Sequence, residues 1–357
     1  MPRWMIAVLA LICALPAHAQ QAQVAADIGR RVAELYAAPA LSAFSGATRR
    51  LDEAMRTLCD APAPPALEEA RAAFAGSVRA WGPVSILRFG PLVEENRFEH
   101  IFFWPDVRGV TLRQVQGVLG KKDESAAMPE GLAEKSVALQ GLPAMEFVLF
   151  GSGAESLAEG DGAFRCRYGA AIAANLAERA AAVERAWRPG APFHAALTRP
   201  AADNALYRTP GEVAGEVVKA LSTALQFVRD TELLPALGDS AQEAQGRRAP
   251  LWRSNLTFAL AGAQVEGVAG LLRAADFAGS LDAARRPLVD SVLFDLDHAS
   301  QALRAVEAPA EAAFAKEGER ARIAYAAVAL DGARHSIGEQ LSAAIGLTMG
   351  FNALDGD

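Results

Sequence analysis

The chain reads as all-α, two helical-bundle domains packed side by side with a cleft at their interface. Alanine is abundant and β-branched residues are comparatively sparse in the 357 residues, which favours helix over sheet. Apolar residues recur at three- and four-residue spacing through long stretches. No alternating strand pattern of useful length occurs anywhere. A hydrophobic share of 52% is enough for a sizeable core, and the length suggests two domains. We expect them over residues 22–195 and 203–357.

Taken in order, residues 22–60 carry helical spacing through Val24, Ile28, Val32, Leu35 and Tyr36, then Leu41, Phe44, Leu51, Met55 and Leu58. The proline-rich Ala61–Pro65 stops that pattern. A second helix is predicted from Leu67 to about Trp81, on the stripe Ala70, Phe74 and Val78. Gly82–Pro91 has Gly-Pro at both ends and is not expected to be a long helix. Pro105 predicts that Trp104 ends its helix, which leaves Asp106 to cap the next segment or to face a cleft. Residues 109–139 read as short helices joined by a polar Lys121–Ser125 loop. Asp161 is a candidate cap for a helix ending at Pro189-Gly190. Arg188–Ala202 is the candidate domain junction. Thr209-Pro-Gly-Glu212 is a capping box with Pro at the first helical position. It leads the stripe Val213, Val217, Leu221, Leu225 and Val228. Further helices are expected at about 250–275, 281–307 and 311–348.

The chemistry centres on Gln140–Gly151, QGLPAMEFVLFG, where Glu146 is the only charge among seven apolar side chains. A carboxylate there must be paired, protonated or bound to something, because an isolated buried charge is very costly. Pro143 suits a first helical position, so Glu146 is expected in the first turn, where the helix dipole favours negative charge. Arg88 stands among Ile86, Leu87 and Phe89. It reads either as a surface arginine whose stem covers the core, or as a partly buried cation opposite Glu146 or holding an anionic ligand.

QGLPAMEFVLFG resembles the signature of the imelysin-like family, bacterial envelope proteins linked to iron uptake and once proposed as metallopeptidases. That signature is Gly-x-His-x-x-Glu followed by apolar residues and a glycine. Gly141 and Glu146 match it, and Pro143 stands at the histidine position. A His and a Glu three apart share a helix face and can share a metal; here that pair does not exist. The resemblance extends to Arg88-Phe-Gly-Pro91, Trp104-Pro-Asp106, Leu251-Trp-Arg-Ser254 and the terminal Gly350–Asp357, so it spans nearly the whole exported chain. It implies a ligand site between two helical domains, with Glu146 central, Arg88 its partner, and Trp104, Asp106, Gly141, Arg253, Ser254, Asn352 and Asp355 around it.

Arg3, the apolar run Trp4–Leu15 and Ala17-His18-Ala19 form a secretory signal peptide over residues 1–19. That run is shorter than the roughly 20 residues of a membrane span. Cys13 invites a lipoprotein reading, but Ile12 is bulky where a lipobox has a small residue. No later stretch is long and apolar enough to cross a bilayer, so a periplasmic protein is expected. Losing Arg3 with the signal takes the formal charge from -7 to -8. That acidity, without a basic block, argues against nucleic acid or an anionic membrane surface as partner. Cys59 and Cys166 remain, and in an oxidising compartment one disulfide is the natural expectation, worth about 4–5 kcal/mol in the chain-entropy picture. The alternative is two buried free thiols.

No HExxH, Cys-x-x-Cys pair, phosphate loop or Gly-x-Ser-x-Gly elbow is present. Asp295 with His298, and His335 with Glu339, have chelating spacing but read as surface pairs. Asn352, Asp355 and Asp357 supply oxygen ligands for a hard cation, or belong to a tail packed in the domain crevice. The expected function is a non-catalytic periplasmic binding protein connected with iron acquisition. Its ligand would be oxygen-rich, or a weakly held metal ion such as iron or another hard cation, with Glu146 as metal ligand. The alternatives are a metallopeptidase, which needs about three protein ligands and a metal-bound water, and a module whose crevice receives an envelope protein.

Overall fold

The computed structural model describes residues 24–347, and within them every regular element is a helix. Ile28–Arg31, the π-wound Val32–Ala37 and Ala38–Asp60 run on as one helix, α1. Then come α2 (Pro64–Ser85), α3 (Val110–Lys121), α4 (Gly141–Phe150), α5 (Ala163–Ala186) and α6 (Pro192–Thr198). The second half has α7 (Pro210–Gln226), which passes through the π-wound Phe227–Leu233 into Leu234–Leu237. It continues with α8 (Thr257–Ala275), α9 (Pro287–Arg304) and α10 (Glu317–His335).

The first half is built on α1, α2 and α5, and the second on α8, α9 and α10 with α7 beside them. One continuous apolar cluster runs through both. Four of its buried rings, Phe44, Trp81, Phe98 and Phe102, come together around Trp81 at centroid separations of 5.3–6.2 Å. The halves meet chiefly where α2 lies on α8. A Cβ on Gly82 would come within 2.5 Å of Ala263 Cβ, so the missing side chain sets how closely those helices approach.

Several local expectations are corrected. Helix α2 continues through Gly82 and Pro83 to Ser85 instead of stopping near Trp81. Packing against α8 overrides the Gly-Pro signal, and the Pro83 carbonyl accepts a hydrogen bond from the Tyr36 hydroxyl at 2.7 Å. The Trp104 segment is helical only over Arg97–Ile101. Helix α5 starts after Gly162 with no side-chain cap, so Asp161 does not serve as one. The stretch read as a junction holds α6. Thr209 caps the helix as read, its Oγ1 accepting from the Glu212 amide, while Glu212 Oε2 reaches one residue further back and accepts from the Arg208 amide at 2.7 Å.

The disulfide forms between Cys59 at the end of α1 and Cys166 in the first turn of α5, with Cα atoms 5.5 Å apart. It ties together two of the most extensively packed helices across 107 residues of sequence.

Candidate functional site

Helix α4 is held at both ends. At its start Gly141 has φ +75°, and a Cβ there would lie 2.4 Å from the Ile101 carbonyl oxygen, so only glycine fits. At its end the Arg165 guanidinium donates to the carbonyls of Phe147 and Val148 at 3.0 and 3.1 Å. The Phe147 carbonyl also accepts from the capping Gly151 amide at 2.9 Å. Both belong to the last turn, whose carbonyls lack amide partners inside the helix. Arg165 is the neighbour of Cys166, so the disulfide also anchors this clamp. Pro143 is the third helical residue, where an absent N–H costs nothing. The helix therefore begins two residues earlier than expected, and Glu146 stands in its second turn.

Glu146 is 3% exposed. Its Oε1 accepts from the Ser254 amide and the Ser254 hydroxyl, both at 2.9 Å, and its Oε2 lies 3.9 Å from Arg253 Nη1. Burial pushes the carboxyl above its usual range; the Ser254 bonds and the Arg253 charge and backbone pull it back. Ser254 is presented by a tight turn in which Leu251 and Asn255 have φ +54° and +58°. The turn is closed by the Leu256 amide on the Leu251 carbonyl at 3.1 Å and by Thr257 Oγ1 on the Pro250 carbonyl at 2.6 Å.

A cleft of about 500 Å³ opens over this pair. One wall is the Trp104–Leu112 segment, another is Pro143, Glu146 and Phe147 of α4, and the rest comes from Asp230–Pro235 and Arg247–Arg253. Both halves of the chain contribute. Trp104 donates from its indole to the Thr231 carbonyl at 3.0 Å, which pins one wall to the other. Asp106 lines the cleft and also caps α3, its two oxygens accepting from the Val110 and Thr111 amides at 2.7 and 2.8 Å.

Trp104, Asp106, Glu146 and Arg253 thus line one cleft, with Ser254 on the Glu146 carboxyl and Gly141 setting the approach of α4. Arg88 lies elsewhere. Its guanidinium is stacked over Phe98 and Phe227, 4.0 and 4.3 Å from the ring centroids. Its nearest acidic influences are Glu99 and Glu232, and the cation beside Glu146 is Arg253. Asn352 and Asp355 lie outside the described residues. His298 is stacked on Phe294 and bonded to the Phe294 carbonyl at 2.9 Å, while His335 pairs with Glu339 on the surface at 3.1 Å. Among the described residues, no three His, Cys, Asp or Glu side chains come together as a metal-ligand group.

The sequence reading missed a second buried carboxyl. Glu232, wholly buried, accepts from Gln264 Nε2 at 3.0 Å through Oε1. Burial pushes it up to about 8, against weaker downward pulls from Gln264 and the Arg88 charge. Its Oε2, Gln264 Oε1 and Arg88 Nη1 are buried without hydrogen-bond partners among the described residues. The signal was in the chain: Glu232 extends the stripe Val213, Val217, Leu221, Leu225, Val228 by one further turn.

Over the described residues the fold is all-helical, with a buried acid beside a cleft that both halves of the sequence line. The imelysin family pattern matches residues 37–337, most of the chain, and the protein belongs to that family. Among solved structures, an imelysin-like protein from Psychrobacter arcticum 273-4 aligns over 92% of this chain and 99% of its own, at 19% identity and a TM-score of 0.76. A protein described as an iron-regulated protein A precursor, from Parabacteroides distasonis ATCC 8503, aligns over 89% and 94%, at 11% identity and a TM-score of 0.72. At those identities the likeness is one of fold. No curated protein matches the chain.

Proposed function

We propose that the chain is a non-catalytic binding protein of the periplasm, exported through its first 19 residues and connected with iron acquisition, which holds a ligand in the cleft over Glu146. The observation that carries this reading is the wall beside the acid. Pro143 lines the cleft where the family signature has a histidine, so carbon stands in place of a ligating nitrogen. Glu146 Oε1 is committed to Ser254, and no histidine lines the cleft among the described residues. A hydrolytic metal needs about three protein ligands and an open position, which this donor set does not supply. The cleft has the size and mixed lining of small-molecule sites. The link to iron rests on the family and on the iron-regulated description of one structural relative. The same reading takes residues 22–195 and 203–357 as the two units that meet at the cleft, and includes Asn352 and Asp355 in its surroundings.

Elemental analysis and native mass spectrometry of protein prepared from the periplasm test the reading. The expected result is a bound molecule in the wild type that is lost in a folded Glu146→Gln variant, with no peptide cleavage. Chelator-sensitive cleavage would establish the peptidase instead. A Glu146→Gln protein changed only in stability would make the carboxyl structural.

A further inference from the structure

We infer that the cleft takes a small carboxylate-bearing anion, received by the guanidinium of Arg253 beside Trp252, and that it is not a cation site. This rests on the small-ligand reading of the cleft and names the chemistry of its occupant. Three arginines line the cleft, Arg247, Arg248 and Arg253. Arg253 is the most enclosed, its side chain 23% exposed, and its only ion-pair partner among the described residues is Glu146, at 3.9 Å. That distance is beyond a hydrogen bond, so a five-donor fork lines the cleft with no side-chain acceptor bonded to it among the described residues. Its Cζ lies 4.4 Å from the centroid of Trp252, and Arg247 Cζ lies over the same ring at 5.2 Å. Stacking of this kind holds a guanidinium plane still while its edge donors stay free for a planar oxyanion.

Arg247 is itself paired with Glu311 at 2.8 Å, so the positive charge of the cleft rests on Arg248 and Arg253, and the acids of the lining are engaged elsewhere. Both Asp106 oxygens are taken by backbone amides of α3, and Asp230 is paired with Arg229. Glu146 is drawn toward its protonated form by burial. The hydrogen count around Ser254 points the same way. Its hydroxyl has one hydrogen but lies 2.9 Å from Glu146 Oε1 and 3.0 Å from the Leu251 carbonyl. One hydrogen shared between two acceptors leaves Oε1 incompletely satisfied as an ionised oxygen, in line with the upward push of burial on this carboxyl. Burial thus opposes negative charge on the acid nearest Arg253, so the charge that would repel a carboxylate is disfavoured where the guanidinium receives it. The remaining lining, with Phe147, Leu251, Val107 and Trp104, suits the carbon body of such a molecule.

The experiment titrates the full mature protein, at constant ionic strength and pH 7, with citrate, ferric citrate, inorganic phosphate and calcium. Tryptophan fluorescence and thermal unfolding are the readouts. Saturable binding of citrate, weakened at least tenfold in Arg253→Met and less in Arg253→Lys, is the expected result. Tighter binding of ferric citrate would identify the chelate as the source of the carboxylate, and equal binding would point to the free acid. Phosphate binding as tightly as citrate would overturn the carboxylate assignment. Citrate binding equal in wild type and a folded Arg253→Met would overturn the role of Arg253. Saturable calcium binding that is lost in Glu146→Gln would overturn the anion site while leaving a small-ligand cleft intact. No response to any probe, with nothing bound to the periplasmic protein, would overturn both.

Discussion

Glu232→Gln changes one atom type in a wholly buried side chain, and that burial sets the sign of its effect. In the folded protein the Glu232 carboxyl is pushed up to about 8 from a usual 4.5 by loss of water. The unfolded chain therefore releases this proton between pH 4.5 and 8 while the folded protein retains it. The unfolded state binds fewer protons in that window, so stability falls as pH rises through it and levels off above 8. A difference of roughly 3.5 pH units at 1.36 kcal/mol each sets an upper figure of about 5 kcal/mol, of which about 3 is already lost by pH 7. The glutamine amide cannot titrate, and its oxygen can still accept from Gln264. Urea unfolding of both proteins at pH 5, 7 and 9 is the assay. The two should be within about 1 kcal/mol of each other at pH 5, and the variant should be the more stable by about 3–5 kcal/mol at pH 9. All other carboxyls are common to both proteins and cancel in the difference. The opposite result refutes the reasoning. If Glu232 is ionised and compensates Arg88, its loss leaves a buried guanidinium unpaired and destabilises by about 3–5 kcal/mol at pH 7.

Replacing Cys59 and Cys166 by serine should lower stability by about 4–5 kcal/mol, and adding reductant to the wild type should reproduce the loss in urea unfolding. Gly141→Ala should cost about 2–4 kcal/mol, because a positive φ and a carbonyl 2.4 Å from the new Cβ both oppose it; thermal unfolding reads this directly. Asp106→Ala should destabilise by about 1–2 kcal/mol through loss of the α3 cap, seen as faster hydrogen exchange at Val110 and Thr111.

The helical class, the Thr209 cap and the importance of Glu146 were legible because each has a local cause. Period, cap chemistry and a lone acid in an apolar run are written within a dozen residues. The partner of Glu146 was not legible in that way. Arg88 and Arg253 each follow apolar residues in sequence, and only the tertiary fold, which stacks Arg88 on Phe98 and Phe227, decides which one meets the acid. Ser254 depends on a turn with two left-handed residues that are not glycine, which no local preference announces. Gly82-Pro83 carried the opposite message from the helix that contains it, because the reason for that glycine is Ala263, about 180 residues later. Glu232 is the instructive miss. It lies on a predicted apolar stripe, and an acid in phase with a stripe is a buried acid until shown otherwise.

The start of α1 makes its tertiary contacts far along the chain. Arg31 is paired with Asp276 at 2.7 Å, and the Tyr36 ring sits against Gly267 and Gly270. Gly29 is so close to the Leu197 carbonyl that no Cβ would fit between them. Closing such distant contacts carries a large loop entropy before any contact energy is gained, which slows folding. While the chain is being delivered residue by residue, the first helical turns meet Pro83 and Leu197 early but lack the surface of α8 until it has arrived. The order of emergence and the order of consolidation are therefore reversed for this segment. A fragment ending before residue 257 should leave those turns frayed, however well the disulfide at Cys59 and Cys166 has closed behind them.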